Sequence, residues 1–308
     1  MTCCVVPCGI SVLDGLTAKK KQGPSDARPK RLESAAVANG RGMLARGVPD
    51  AQVLGWWSSQ VAHEADAARL TDWDPRVLCA ETSTLAAAGH SPQRGLLDRG
   101  DRVMLLASDT GPGVAAALCV GQYIAGLALA DTTYVSTPEG LPNEPVTAPA
   151  GGQLTIVRLR GLNPAHAAGG FIDAVAGIGR VLRAAFDTGE RIEVHLTGGY
   201  KATLLHTLAM TEVLYSQDPD RVTALYVFEG ADDPGSPAVS IGLRRFPPEY
   251  IDDMAAELSA VRDGRREPGA QTFKGMAWTE AGGLTAFGYG YLAVLGHKLS
   301  SARPGPTG

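Results

Sequence analysis

The segment Thr197-Gly198-Gly199-Tyr200-Lys201 has the composition of an anion-binding loop. It follows an alternating apolar run, residues 192–196, and precedes a segment with helical periodicity. Two glycines let backbone N–H groups approach an anion without interference from a Cβ atom, and a helix start adds the positive end of its dipole. Lys201 adds a full positive charge. The segment predicts a site for a phosphorylated ligand; a surface lysine after a tight turn is the alternative.

The loop Gly9-Ile10-Ser11 follows the apolar run 3–8, whose composition predicts a strand. Its glycine permits close approach of the backbone, and the Ser11 hydroxyl can bond a phosphate oxygen or a ribose hydroxyl. A serine before a helix is also a common N-cap, which is the alternative for Ser11. Because no Gly-x-Ser-x-Gly motif surrounds this serine, a hydrolase triad is unsupported.

The loop Ser108-Asp109-Thr110-Gly111 follows a second apolar run, 102–107, and precedes a helical pattern over 114–129. Asp109 or Thr110 can cap that helix. Asp109 can instead accept a hydrogen bond from an adenine amino group or a ribose hydroxyl. No second carboxylate completes a magnesium-binding pattern, which disfavours metal-assisted phosphoryl transfer.

Apolar runs of strand length alternate with helical patterns along the chain. This alternation predicts an α/β fold with a largely parallel sheet and helices on both faces. Because ligands gather beyond the carboxyl ends of such strands, the loops beginning at Gly9, Ser108 and Thr197 predict one site. Further strands are expected at 133–136, 155–159, 191–196 and 222–228, and helices at 171–186, 201–215, 250–261 and 284–299.

Several classes of site are disfavoured by missing motifs or by charge. A Walker A spacing is absent, and no Gly-x-Gly-x-x-Gly follows the first strand, which disfavours a P-loop and a dinucleotide-binding domain. The formal net charge of -4 gives no overall attraction to nucleic acid. A polyanionic ligand therefore needs locally placed donors.

The chain has five cysteines and no Cys-x-x-Cys pair. An odd number of cysteines is a poor basis for a disulfide framework. Cys3, Cys4 and Cys8 lie in an apolar run, where small buried thiols are common, so we expect no metal there and no cofactor. The chain has no apolar run of membrane-spanning length and no signal-peptide pattern. We therefore expect a soluble cytoplasmic protein without a membrane partner.

The segment from Lys19 to Arg31 carries six basic residues and two prolines. A mobile, solvated basic loop is the expected structure, and a flap that touches a nucleotide is the alternative.

Five short segments, taken together, resemble the CRISPR-associated Rossmann-fold (CARF) family. They are Cys8-Gly9-Ile10-Ser11, Ala80-Glu81-Thr82-Ser83-Thr84-Leu85, Ser108-Asp109-Thr110, Thr197-Gly198-Gly199-Tyr200-Lys201-Ala202 and Tyr226-Val227-Phe228-Glu229. They occur in the family's order and span roughly residues 3 to 248. The chain is most similar to short standalone members related to the archaeal ring nucleases.

The resemblance implies a Rossmann-like domain, residues 1–248, that forms a homodimer and binds a cyclic oligoadenylate, most often the four-membered ring, across a two-fold axis. In ring-nuclease members the matching serine and lysine support cleavage, which implies catalytic roles for Ser11 and Lys201. The implied ligand-binding residues are Gly9, Ile10, Ser108, Asp109, Thr110, Gly111, Thr197, Gly198, Gly199 and Tyr200.

The implied reaction needs no metal: a ribose 2'-hydroxyl attacks the neighbouring phosphorus and leaves linear di-adenylate with 2',3'-cyclic phosphate ends. Cleavage of this kind would switch off type III CRISPR antiviral signalling. The alternative is a non-catalytic sensor that binds the ring and acts through its C-terminal segment or a partner. A nucleotide-metabolising enzyme unrelated to CRISPR is a third possibility, because α/β folds host many activities.

This chain departs from the family at two positions. Ile10 stands where the family often has threonine, which removes a hydroxyl from the first loop. His195 stands where asparagine is usual; we expect a packed polar side chain, with a proton donor as the alternative.

Residues 249–308 resemble the small C-terminal module, mainly helical or winged-helix-like, of many family members. Its final helical pattern is apolar and aromatic, with charge only at Lys298, so dimerisation or a lid is expected rather than DNA binding. No Arg-x-x-x-x-His element of a HEPN ribonuclease is present.

Overall fold

One seven-stranded sheet organises the fold. In the computed structural model, the described residues are 1–13, 28–67, 70–90, 95–126, 129–137, 146–166, 169–227, 237–264 and 271–296. The strands are β1 (Thr2–Pro7), β2 (Arg102–Ser108), β3 (Thr132–Ser136), β4 (Leu154–Leu159), β5 (Arg191–His195), β6 (Val222–Tyr226) and β7 (Val239–Ile241). Their order is β3-β4-β2-β1-β5-β6-β7, and every neighbouring pair is parallel except β6 and β7.

The central strand β1 is the point at which the chain reverses its direction across the sheet. It pairs with β2 on one side and with β5 on the other, so that Cys4 lies opposite Val103 and Glu193. From β1 the chain adds β2, goes on to the edge strand β3, places β4 between β3 and β2, and then returns to add β5 and β6 on the other side of β1. In open α/β sheets, the crevice at such a reversal is the usual ligand position. Here that crevice lies between the carboxyl ends of β1 and β5.

Side chains of β1 alternate between two hydrophobic cores because successive residues of a strand point to opposite faces. Cys4 and Val6 lie in one core and Cys3 and Val5 in the other, and all four are buried. Burial on both faces explains the continuous apolar run of this strand. The three N-terminal cysteines therefore do not converge as a cluster.

Helices cover both faces of the sheet. The first core is covered by α1 (Arg28–Arg46), α2 (Asp50–Ala67), α3 (Pro75–Leu78), α4 (Ala80–Ala87), α5 (Gly95–Asp98) and α6 (Gly111–Ala125). The second is covered by α7 (Gly169–Asp187), α8 (Lys201–Gln217), α9 (Pro248–Arg262) and α10 (Ala286–Leu295). The prediction of an α/β fold with a largely parallel sheet and helices on both faces is confirmed, and the architecture is compatible with a Rossmann-like fold.

The C-terminal helices pack onto the second core. Leu258 of α9 and Val294 of α10 are buried there, and a Cβ atom at Gly179 of α7 would lie 2.6 Å from the carbonyl oxygen of Gly290. The close approach of α10 to α7 therefore requires glycine at position 179. The division at residue 248 and a winged-helix-like module stay predictions.

Two features of the fold were not expected from the sequence. The basic segment was predicted as a loop, but α1 begins at Arg28 and so includes its last four residues, while residues 19–27 lie outside the described residues. The edge strand β7 has only three residues, too few for a pattern. Among the described helices, none is long and apolar enough to cross a membrane.

The backbone of helix α1 packs directly against the backbone of the loop after β2. A Cβ atom at Gly40 would lie 2.2 Å from the carbonyl oxygen of Gly111, and one at Gly111 would lie 2.7 Å from the backbone nitrogen of Arg41. Both positions therefore require glycine for close packing rather than for an unusual backbone angle. This contact seats α1 against one of the loops at the carboxyl edge of the sheet.

We predict that Gly40→Ala lowers the free energy of unfolding by about 2 kcal/mol or more, because the new methyl group has to push α1 away from Gly111. Gly42→Ala is the matched control in the same helix. A Cβ atom at Gly42 meets nothing within 4 Å, so alanine there should be neutral or stabilising by up to about 1 kcal/mol. Urea denaturation of both variants measures the difference; equal effects would contradict the packing role.

Candidate functional site

The buried carboxylate of Glu81 holds the loop after β1. Its Oε1 accepts a hydrogen bond from the backbone N–H of Gly9 at 2.7 Å, and its Oε2 accepts one from the Ser11 hydroxyl at 2.9 Å. The Ser11 oxygen in turn accepts from the backbone N–H of Ala80 at 3.3 Å. Glu81 is only 1% exposed, and hydrogen bonds to a buried charge are the stronger kind. The first loop is therefore fixed to the start of α4.

The loop after β5 packs directly on this arrangement. A Cβ atom at Gly198 would lie 2.5 Å from Oε1 of Glu81 and 2.7 Å from the carbonyl oxygen of Pro7. Gly199 has a φ angle of 93°, which favours glycine. A Cβ atom added at Gly9 would lie 3.3 Å from the backbone nitrogen of Gly199. Two of the three loops that the sequence assigns to one site, those beginning at Gly9 and Thr197, meet at the β1–β5 crevice.

Lys201 is the exposed first residue of α8. The preceding Tyr200 is the N-cap and provides no side-chain hydrogen bond to the helix. Its carbonyl accepts from the N–H of Thr203 at 2.9 Å, which leaves the N–H groups of Lys201 and Ala202 for water or a ligand. Tyr200 is 42% exposed and Ile10, on the neighbouring loop, is 50% exposed. An uncapped helix start beside a lysine favours an anion.

Thr197 and His195 lie below the surface of this loop. The Thr197 hydroxyl accepts a hydrogen bond from the backbone N–H of Val227 at 2.8 Å and so ties the loop to the end of β6. Burial lowers the pKa of His195 to about 4, which keeps the imidazole neutral near pH 7. A buried neutral imidazole is poorly suited to the role of proton donor to an exposed ligand.

The loop after β2 is largely occupied by contacts within the protein. Thr110 caps α6 by accepting from the backbone N–H of Gly113 at 3.1 Å, and its hydroxyl also lies 3.0 Å from that of Ser108. Both carboxylate oxygens of Asp109 are bonded, one to Arg158 at 2.6 Å and one to the N–H of Gly161 at 3.0 Å. A ligand that uses Asp109 has to compete with Arg158.

Gly111 completes the same loop and is buried against Arg41 of α1. The Arg41 side chain is exposed beside it, and with the described residues neither Arg41 nor Lys201 forms an ion pair. Among the described residues, Arg41 and Lys201 are therefore exposed cations at this edge of the sheet. Gly111 itself acts here through packing.

A shallow pocket of about 270 Å³ adjoins the loop of Lys201. It is lined by residues 161–164, by Phe171 of α7, and by Tyr200 and Ala202 at the start of α8. Its volume lies slightly below the usual range for a complete ligand pocket, which begins at about 300 Å³. It can hold part of a larger ligand, and its aromatic rings suit the face of a planar group.

Sequence reasoning about the site missed Glu81 and Arg41. Glu81 lies 72 residues from Gly9 along the chain, so no local spacing indicates their contact. The only signal was its position in the segment 80–85, which contributes to the family resemblance. Arg41 is recognisable only once α1 is seen to cross Gly111. Compared with models of protein families and with curated proteins, the chain matches none.

We predict that Glu81→Gln and Ser11→Ala are strongly coupled. Glu81→Gln should lower the free energy of unfolding by about 1–3 kcal/mol, because the amide replaces one of two buried acceptors with a donor. Ser11→Ala should cost about 1 kcal/mol, and the double variant should cost less than the sum.

Urea denaturation of the four proteins measures this cycle. Ser83→Ala, in the same helix as Glu81, is the control and should change stability by less than about 0.5 kcal/mol. Additive effects of Glu81→Gln and Ser11→Ala would show that the hydrogen bond between them contributes nothing.

Proposed function

We propose that the chain is a metal-independent ring nuclease that binds cyclic tetra-adenylate and cleaves it to linear di-adenylate with 2',3'-cyclic phosphate ends. The observation that carries this proposal is the contact between the two glycine loops at the β1–β5 crevice, with Ser11 in one loop and Lys201 at the end of the other. Removal of the ring would end type III CRISPR signalling in the cell. The resemblance of the five sequence segments to CARF proteins supplies the ligand class.

The charges near the crevice define how a phosphate would be held. Glu81 is negative and lies below the loops, so a phosphate has to be bound from their outer side, by Lys201 and the N–H groups that begin α8. Arg41 adds a second cation at the neighbouring loop. The pocket beside Tyr200 has room for part of an adenosine unit.

Cleavage within this arrangement depends on positioning and on charge. The 2'-oxygen attacks the adjacent phosphorus, and the bond from phosphorus to the 5'-oxygen breaks. Solvent accepts the proton of the 2'-hydroxyl and donates a proton to the leaving 5'-oxygen. Lys201 stabilises the extra negative charge on the phosphorane, which is worth more in the transition state than in the bound ring. Ser11, already fixed by Glu81, holds the loop in the shape that orients the sugar.

A homodimer would complete the site. At the crevice, the described residues of one chain supply Lys201, the uncapped start of α8 and a pocket of part-ligand size, whereas a cyclic tetra-adenylate has two-fold symmetry. Two copies related by a two-fold axis would present these groups twice to matching phosphates. The exposed apolar side chains of Ile10 and Tyr200 lie at this edge and would be covered by such an arrangement.

A second candidate, a non-catalytic sensor of the same ring, is favoured by the state of Ser11. Its hydroxyl donates to Glu81 and its oxygen accepts from Ala80, which leaves it little capacity for a reacting group. A site whose serine is already bonded within the protein can bind the ring without turnover. The two candidates share the pocket and differ only in cleavage.

Incubation of the purified protein with cyclic tetra-adenylate in EDTA separates them. We predict linear di-adenylate with 2',3'-cyclic phosphate ends, detected by mass spectrometry. Lys201→Ala should slow cleavage by about 100-fold or more but weaken ring binding by no more than about 10-fold, because the lysine acts mainly on the transition state.

Lys274→Ala is the matched control. Lys274 is exposed and lies over the Trp278 ring in the C-terminal part of the chain, so its loss should leave cleavage and binding unchanged. Binding without any cleavage would favour the sensor. No binding of any cyclic oligoadenylate would refute both candidates.

A further inference from the structure

Four side chains with metal-binding atoms meet on the sheet face beneath the candidate site. They are Cys4, His90, Glu193 and His195, and one ligand atom from each lies within 4.8 Å of all the others. His90 Nε2 lies 2.7 Å from Glu193 Oε2 and 3.9 Å from Cys4 Sγ, and His195 Nε2 lies 3.9 Å from the same carboxylate oxygen. The group is separate from Ser11, Glu81 and Lys201.

The topology of the sheet creates this group. Cys4 of β1 is directly opposite Glu193 of β5, and His195 points to the same face as Glu193 because they are two residues apart on one strand. His90 comes from the turn after α4, where Gly89 has a φ angle of 84° and the N–H of His90 bonds the carbonyl of Leu85. Three separate parts of the chain therefore supply the four side chains.

His195 gives an independent indication that the group has a ligand. It is 1% exposed, yet within the described part of the chain neither of its ring nitrogens has a hydrogen-bond partner. A buried polar atom without a partner costs free energy, about 1–3 kcal/mol for each group. A cation bound between the His195 imidazole, the thiol, the carboxylate and the second imidazole would give a ring nitrogen of His195 a partner.

We propose that Cys4, His90, Glu193 and His195 bind a zinc ion. The set combines a thiolate, two imidazoles and a carboxylate, which are the ligand types of tetrahedral zinc sites. Zinc–ligand distances of about 2.0–2.3 Å place tetrahedral ligand atoms roughly 3.5 Å apart, so shifts of about 1 Å convert the present arrangement. The ion displaces the proton of the Cys4 thiol to solvent, and the two anionic ligands balance its charge.

Four protein ligands with little exposure make a closed site, which is structural rather than catalytic. The ion would join β1, the turn of His90 and β5. Its ligand on β5, His195, lies two residues before Thr197.

Arg99 Nη2 lies 3.1 Å from His90 Nδ1, which implies that the proton of His90 is on Nε2. Zinc binding through Nε2 moves that proton to Nδ1 and ends the bond from Arg99. This proposal does not rest on the proposed function, and it departs from the sequence prediction of no metal.

The full-length protein tests the proposal by metal analysis and cobalt substitution. We expect about one zinc per chain after dialysis, and a chelator should lower the midpoint of thermal unfolding. Cobalt in place of zinc should give the visible bands of tetrahedral cobalt and a near-ultraviolet band from thiolate-to-cobalt charge transfer.

Cys4→Ala should remove the charge-transfer band, and His195→Ala should weaken cobalt binding by more than about 100-fold, since even outer-shell losses cost 10–100-fold. Cys3→Ala is the matched control, an equally buried thiol on the opposite face of β1, and should keep both properties. The zinc content and the cobalt spectrum of the wild-type protein test the proposal even if a variant fails to fold. Zinc-free protein that gives only the spectrum of hydrated cobalt would overturn the proposal, as would loss of the band in Cys3→Ala but not in Cys4→Ala.

Discussion

The geometry of the β1–β5 crevice depends on one buried carboxylate. Glu81 accepts hydrogen bonds from Gly9 and Ser11 and leaves space for nothing larger than glycine at position 198. Without these bonds a charge that is 1% exposed would be left unsatisfied, at a cost that a domain of ordinary stability cannot easily absorb. The same contacts that satisfy Glu81 therefore bring the two loops together.

The order of the strands places an open crevice beside this contact. Because β1 lies where the chain reverses direction, the loops after β1 and β5 leave the sheet toward opposite faces and open a crevice between them. The start of α8 and Lys201 lie on the outer side of that crevice. The loop after β2 has a different role. Thr110 caps α6, and Gly111 packs against α1.

Local patterns in the sequence were sufficient for most strands and for the position of the loops. The apolar run of β5, the two glycines after it and the helical pattern of α8 are contiguous, so their arrangement follows from neighbouring residues. The contact of Gly9 with Glu81 joins residues far apart in the chain, and only the folded topology reveals it. The same holds for Cys4 and His195, which look like ordinary core residues until β1 and β5 are placed side by side.

The proposed function requires the crevice to form half of a two-fold site for a cyclic oligoadenylate. Isothermal titration calorimetry with cyclic tetra-adenylate tests it most directly, carried out on wild-type protein and on Gly198→Val, whose side chain would displace Glu81 and the β5 loop. We expect one ring bound for every two wild-type chains and no binding to the variant. One ring per chain, or equal binding by Gly198→Val, would contradict it.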